Sequence, residues 1–388
     1  MPRKRLRILF DAHALLGQKT GVGYYTDRLI RELARQHPDD IELIGYYHNF
    51  LYRKKTPGLP TAPNIRYRRI AFMPGQIVNL LRRFHILLPV ELLTLTKADF
   101  IFYPNYLGLS SLFRIPSASV IHDLTFVDLP DYLSKRNLYD LRTFIPAQIA
   151  RSSFLVTVSN FSKQRICEEF SFPPKQVLVT PVPPEGPRHV DINTKQSALS
   201  KLGITGKYIL TLGTIEPRKN LPNMLDAYLQ LPEKVQQAYT FVIAGKIGWN
   251  CELEVARLKQ AKVEGKNILH LGYVSDLERA ILYESATLFT WASYYEGFGM
   301  PILEAMEYGV PCAISDIAVF KEVADTAALY FDQQQPTSIA AVWKQLLTEP
   351  DERKRLGTLG KQRSQTYRWD DVTTSFYRRV VKTVRAKL

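Results

Sequence analysis

YYEGFGMPILEAMEYGVPCAIS, residues 294–315, places two glycines, two flanking acids and a proline where a strand gives way to a helix. The strand ends near Ala292. Gly297 and Gly299 then let backbone approach a ligand closely. Pro301 suits the first helical position and Gly309 suits the stop, which predicts a short helix over Pro301–Tyr308. The amides of that helix end, with those of Gly297, Phe298, Gly299 and Met300, make a site for an anion such as phosphate. Glu296 and Glu304 flank it. Two carboxylates beside an anion repel it unless the ligand also brings hydroxyl donors, as a sugar and a ribose do. Taken alone, the pair reads as acids on the favourable end of a helix dipole.

The alternation on either side gives the fold class. LRILF (6–10), IELIGYY (41–47), ASVIHD (118–123), SFLVTVS (153–159) and VLVTPV (177–182) read as strands, with a helix over Tyr25–Gln36 and another over FSKQRICEEF. PVPPEGPRHV (181–190) breaks the composition with four prolines and a glycine. The pattern then restarts with KYILTLG (207–213), TFVIAG (240–245), ILHLGYV (268–274), ATLFTWA (286–292), PCAIS (311–315) and AALYF (327–331). Strand–helix alternation on both sides of the break predicts two α/β domains, each a doubly wound parallel sheet, with ligands in the crevice between them. The expected boundaries are 1–185 and 186–368, with a basic amphipathic helix over 369–388 packing back on the first domain.

With its context, EGFGMPILEAMEYGVP resembles the diagnostic segment of family 4 glycosyltransferases, which are retaining enzymes of the GT-B type. The resemblance extends over nearly the full length. TLGTIEPRKNL (211–221) resembles the family's diphosphate loop and carries Gly213, Thr214, Arg218, Lys219 and Asn220. Many relatives hold an arginine where this chain has Thr214, so the cationic role falls on Arg218 and Lys219. AGKIGWN (244–250) and HLGYVSDLE (270–278) also look like family segments, and relatives meet the nucleobase near the second, here Tyr273 and Val274. In the first domain TGVGYYTDRL (20–29) resembles the family's glycine-rich loop, giving Gly21, Val22 and Gly23 a place beside phosphate or sugar. His122 and Asp123 match its His-Asp pair at a strand end.

The resemblance implies that Glu296 grips donor-sugar hydroxyls, Glu304 accepts from the ribose, and His122 serves the sugar or the acceptor. Arg218 and Lys219 would hold the leaving diphosphate, whose charge must be held more tightly in the transition state than in the ground state. It implies neither a cofactor nor an essential metal, and the chain has no Asp-x-Asp triplet for chelating one to the diphosphate. TIEPRKN resembles bacterial mannosyl- and rhamnosyltransferases of cell-surface polysaccharide synthesis. GDP-mannose is the preferred donor, with dTDP-rhamnose or a UDP-sugar behind it, and a saccharide or polyprenyl-diphosphate-linked saccharide is the acceptor.

Charge adds a second theme. The formal net charge is +14, and residues 1–190 hold 26 Lys and Arg against 15 Asp and Glu. Arg66, Arg68 and Arg69 precede VNLLRRFHILLPVELL (78–93), where cations and apolar residues share one segment. That segment reads either as a helix covering the first sheet or as a surface resting on anionic lipid. A nucleic-acid-binding protein would also be basic, but no such module is present and aromatics do not interleave the basic runs. A Rossmann dehydrogenase needs a third glycine, or an alanine in its place, that Gly21-Val22-Gly23-Tyr24-Tyr25-Thr26 lacks. Asp11 and His13 interrupt the apolar run after MPRKR, which favours a first strand over a signal peptide. Cys167, Cys251 and Cys312 stand singly, which fits a reducing, cytoplasmic setting, and the basic apolar segment would place the protein on the inner face of a membrane.

Overall fold

A computed structural model of the protein describes residues 5–50, 58–84, 86 and 88–387. The chain divides into two compact units. The first takes the chain as far as Phe126, then Arg136–Val182 and the stretch from Arg368 on; the second takes Val127–Lys135 and Pro183–Tyr367.

The first unit is built on β1 (Leu6–Asp11), β2 (Ile41–His48), β3 (Ile65–Ile70), β4 (Phe100–Tyr103), β5 (Ser117–Val120), β6 (Phe154–Thr157) and β7 (Val177–Val179). They pair in the order β3-β2-β1-β4-β5-β6-β7, every pair parallel. The inner strands β4, β5 and β6 are buried along their whole length, as expected where helices cover both faces of a parallel sheet. Strand order reverses between β1 and β4, and there the carboxyl ends of the strands diverge to leave a crevice.

The second unit carries β8 (Lys207–Leu212), β9 (Tyr239–Ala244), β10 (Ile268–Gly272), β11 (Leu288–Trp291), β12 (Cys312–Ser315) and β13 (Ala328–Phe331). The order is β10-β9-β8-β11-β12-β13, again all parallel, with the reversal between β8 and β11. Trp343 is wholly buried beneath this sheet, and its indole N–H donates to Thr290 Oγ1 at 2.9 Å. A large ring therefore fills the core without stranding its one polar atom.

The helix Trp369–Arg385 belongs to the first unit. Phe376 is fully buried, with its ring centroid 4.8 Å from that of Phe102. Arg35 pairs with Asp370 at 2.8 Å, and His37 stacks on Tyr377 at 3.7 Å.

Several elements differ from the reading of the sequence. The strand expected over 118–123 stops at Val120, so His122 and Asp123 sit in the loop beyond it. Two strands were not anticipated. β3 is an edge strand whose arginines face outward; Arg66 pairs with Glu42 of β2 at 3.1 Å. β4 is only four residues long, too short for periodicity to register. The segment 78–93, whose residues 85 and 87 lie outside the described residues, is not one helix. Gly75–Arg83 and Val90–Thr94 are separate, the second entered from Pro89. Residues 1–4, at the front of the basic N-terminal run, also lie outside the described residues.

Candidate active site

In both units the residues singled out in the sequence lie in the segments that follow the carboxyl ends of the strands. In the second unit, β8 runs into Gly213, whose φ is 154°. A Cβ at Gly213 would lie 2.5 Å from Trp291 and 3.1 Å from Lys219 Nζ. A Cβ at Gly245, at the end of β9, would lie 1.9 Å from the Gly213 carbonyl oxygen. Two backbones and the Trp291 and Lys219 side chains thus crowd at one point, and only glycine fits at positions 213 and 245. Beyond Gly213 come Thr214, then the short turn Pro217–Lys219.

Arg218 and Glu296 form the hub. Arg218 Nη1 lies 2.7 Å from Glu296 Oε2 and donates to the Tyr295 carbonyl at 2.9 Å, while Nε bonds Glu216 at 2.9 Å. Glu296 Oε1 also accepts from Ser293 Oγ at 3.0 Å and Trp291 Nε1 at 3.3 Å. Burial pushes the Glu296 carboxyl up, but Arg218 and Lys219 outweigh it and hold the group below its ordinary range. Glu296 is therefore an anion with lone pairs still open to a hydroxyl donor.

Lys219 has a different setting. Its ammonium sits over the Trp291 ring, 5.0 Å from the centroid. Among the described residues no carboxylate lies within ion-pair distance of it. Burial lowers its pKa, Glu216 and Glu296 partly counter this, and the charge of Arg218 adds to the lowering. A half-buried cation without a direct counter-ion is held at a cost and is stabilised by an anion that binds beside it.

The predicted short helix runs over Met300–Glu307, one residue earlier than expected. Pro301 is thus second rather than first, and Ile302 N–H is spent on the Gly299 carbonyl at 3.0 Å. The helix end offers fewer amides than the sequence suggested. Among the described residues, those of Phe298, Gly299 and Met300 have no acceptor. The Phe298 side chain is buried against Tyr367, so only its backbone can face a ligand. Gly299 has φ 106°, the left-handed turn that starts the helix.

Glu304, on that helix, accepts from Tyr283 Oη at 2.8 Å and from Arg279 Nη1 at 3.1 Å. Both donors lie on the helix Asp276–Ser285, whose start is fixed by the Ser275–Glu278 capping box. Asn220 turns the chain at φ 59°, its amide bonding the Gln333 carbonyl at 2.6 Å and its oxygen accepting from Tyr294 Oη at 2.9 Å. Tyr273 is exposed just past β10, with Val274 half-buried after it.

In the first unit the helix Gly21–Gln36 starts at Gly21, four residues before the predicted start. A Cβ on Gly23 would meet the Ala14 carbonyl at 2.5 Å, so close helix packing requires this glycine. Val22 accepts from Thr26 Oγ1 at 2.7 Å. Tyr25, from the same helix, stands edge-on to His122 with centroids 5.4 Å apart. His122 Nε2 lies 2.8 Å from the Pro104 carbonyl, which makes Nε2 the protonated nitrogen and leaves Nδ1 as an acceptor. Burial lowers the pKa of this ring, so it is neutral at pH 7. Asp123 Oδ1 accepts from Tyr106 Oη at 2.9 Å and from Thr125 N at 3.0 Å.

Residues not foreseen in the sequence are the supports: Glu216, Trp291, Ser293, Arg279 and Tyr283. Arg279 and Tyr283 are four apart on one face of the helix Asp276–Ser285, and that spacing was the available signal. The others come from strand ends and turns, where spacing gives none.

Residues 194–363 match the family model for glycosyl transferases group 1. The O-antigen chain mannosyltransferase B of Escherichia coli is 27% identical over 385 residues, covering 95% of this chain and 98% of its own length. A serotype-specific mannosyltransferase WbdA of the same organism is 28% identical over 255 residues, 64% of this chain and 31% of that protein. Anabaena HepE, solved in complex with UDP and glucose, has a TM-score of 0.70 at 15% identity over 97% of this chain and all of that one, and so shares its fold. That fold is GT-B, two doubly wound parallel sheets in succession. The matched span holds the Arg218–Glu296 hub, Lys219 and the Glu304 helix, so this part of the chain is similar to the group 1 glycosyl transferases.

Proposed function

We propose that the protein transfers mannose from GDP-mannose, with retention and without a resident metal, to a saccharide acceptor of a cell-surface polysaccharide. The observation that carries this reading is Lys219, half-buried over Trp291 with no direct counter-ion among the described residues, beside a hub that holds Glu296 ionised. A diphosphate is the anion such a position calls for, and a sugar supplies hydroxyls to Glu296. In this reading the amides of Phe298, Gly299 and Met300 share the diphosphate with Lys219, and Arg218 acts mainly by holding Glu296. Glu304 accepts from the ribose, with Tyr283 and Arg279 fixing its carboxylate. Tyr273 and Val274 flank the base. His122 accepts a sugar hydroxyl at Nδ1, and Gly21 and Asp123 contribute from the same sheet end. The mannose assignment is supported by the relatives named above and by the TIEPRKN loop.

Thermal shift with GDP-mannose, dTDP-rhamnose, UDP-glucose and UDP-N-acetylglucosamine tests the donor, since a ligand bound to the native state alone raises the melting point. Selective stabilisation by GDP-mannose, with α-configured product by NMR, is expected. A shift with UDP-glucose and none with GDP-mannose refutes the donor.

The acceptor is proposed to be polyprenyl-diphosphate-linked and met at the inner face of a membrane. Phe72, Ile77, Leu80, Phe84 and Ile86 all stand in solvent around the helix Gly75–Arg83. The neighbouring cations are partly spent, Arg83 on Asp140 at 2.7 Å and Arg82 on the Gly108 carbonyl at 3.3 Å. The surface is therefore more apolar than basic, and flotation with anionic liposomes should persist at high salt. Absence from the floating fraction at every salt concentration refutes it. Among the described residues no helix is long and apolar enough to cross a membrane.

A further inference from the structure

The donor reading leaves three aromatic side chains at the rim of the second sheet without a role. Trp249 follows Gly248, where a Cβ would lie 2.6 Å from the Ile215 carbonyl oxygen and 3.2 Å from Thr214 Cγ2. The loop that carries Trp249 is thus pressed against the loop that carries Arg218 and Lys219. Gly248 N–H donates to the Ile215 carbonyl at 2.9 Å, which fixes that contact. Trp249 is 39% exposed, whereas Trp291, Trp343 and Trp369 are 4%, 0% and 8% exposed.

The exposed ring is tethered. Its indole N–H donates to the Tyr132 carbonyl at 3.0 Å, and Tyr132 belongs to the Val127–Lys135 segment of the same unit. The Tyr132 ring lies 6.0 Å from that of Tyr294, tilted by 42°. Tyr294 is anchored in turn, its amide donating to the Arg218 carbonyl at 2.9 Å and its hydroxyl to Asn220. An exposed tryptophan on a mobile loop needs no explanation. One whose polar edge is spent on the Tyr132 backbone, and which is linked through the Tyr132 ring to Tyr294, itself bonded to the Arg218 loop, is a preorganised apolar surface.

We propose that Trp249 and Tyr132, backed by Tyr294, form a subsite for a hexose ring of the saccharide acceptor. The proposal rests on the glycosyl-transfer reading of the neighbouring loop. A pyranose has one face of C–H groups and a rim of hydroxyls. The indole face takes the first, and exposed Asp131 and Asn250, each next in the chain to one of these rings, are available to the second. Trp249 acts here in acceptor binding and takes no part in holding the donor.

Two measurements test it, with mannotriose as the probe. Acrylamide quenching of tryptophan fluorescence reports chiefly on Trp249, and mannotriose should shield it in the wild-type protein. In initial-rate measurements Trp249→Ala should raise the KM for mannotriose about tenfold and leave the KM for GDP-mannose within about twofold, while Trp249→Phe recovers most of the loss. Tyr132→Ala should act in the same direction. No shielding, with an unchanged acceptor KM, overturns the subsite. A rise in the GDP-mannose KM instead overturns it in favour of a nucleotide contact. Should GDP-mannose fail to shift the melting point, the donor reading falls, and shielding by mannotriose still supports the subsite.

Discussion

Arg218 Nη1 lies 2.7 Å from Glu296 Oε2, and the two side chains are 17% and 12% exposed. Removing one partner of such a pair leaves the other charged and buried, at a cost of about 3 kcal/mol. Arg218→Ala should lose about that much in urea unfolding and about a hundredfold or more in turnover. The folded-state pKa of Glu296 is depressed, so the pair's contribution is present above the ordinary glutamate range and is lost as pH falls through the folded value. The variant should therefore unfold at a higher pH on acidification than the wild type. Equal acid-unfolding midpoints would show that the pair carries no stability.

Lys219 should be costly to the apo protein and essential to turnover. Its pKa is lowered by burial, so the cost of holding it charged is full at neutral pH and is relieved as pH rises through its folded value. Lys219→Met is expected to raise the melting temperature by about 2 °C at pH 7, with the gap closing in alkali, and to abolish transfer. A variant that melts lower than the wild type at pH 7 contradicts the unpaired-cation account.

Glu304 is held by Tyr283 and Arg279, so Glu304→Gln should stay folded and keep an acceptor for one of them. The KM for the donor should rise about tenfold or more, since hydrogen bonds from ligand hydroxyls to a charged group are among the stronger ones. A donor lacking the ribose 2′- and 3′-hydroxyls supplies the check. Wild type should discriminate against it, and Glu304→Ala should not. Equal discrimination by both proteins places the ribose elsewhere.

His122 is held neutral by burial, with Nε2 committed to the Pro104 carbonyl. Its folded pKa lies below the unfolded value, so its contribution to stability is intact above about pH 6.5 and diminishes as pH falls below it. The kcat/KM profile should show no His122 inflection near pH 6.5. His122→Phe should lose about a hundredfold in turnover for want of the Nδ1 acceptor. An inflection near 6.5 that vanishes in the variant would mean that the ring titrates as an exposed imidazole.

The short helix beside Glu296 and the two alternating halves were legible because each rests on local chemistry. Gly299 and Pro301 define a turn and a helix start in any context, and apolar runs at strand spacing declare a parallel sheet. β3 was hidden because an edge strand exposes Arg66, Arg68 and Arg69, and β4 because four residues leave no period to read.

The sequence by itself determined the order of elements, the glycines at the strand ends and the acids that follow them, because spacing and backbone freedom are properties of neighbours in the chain. Only the tertiary structure decided that Arg218 pairs with Glu296 while Lys219 stands over Trp291, and that Glu304 is gripped from another helix. The first two join residues at or beyond the ends of β8 and β11, brought together where the strand order reverses, and the third joins two neighbouring helices. Burial then sets which charge is matched and which awaits a ligand.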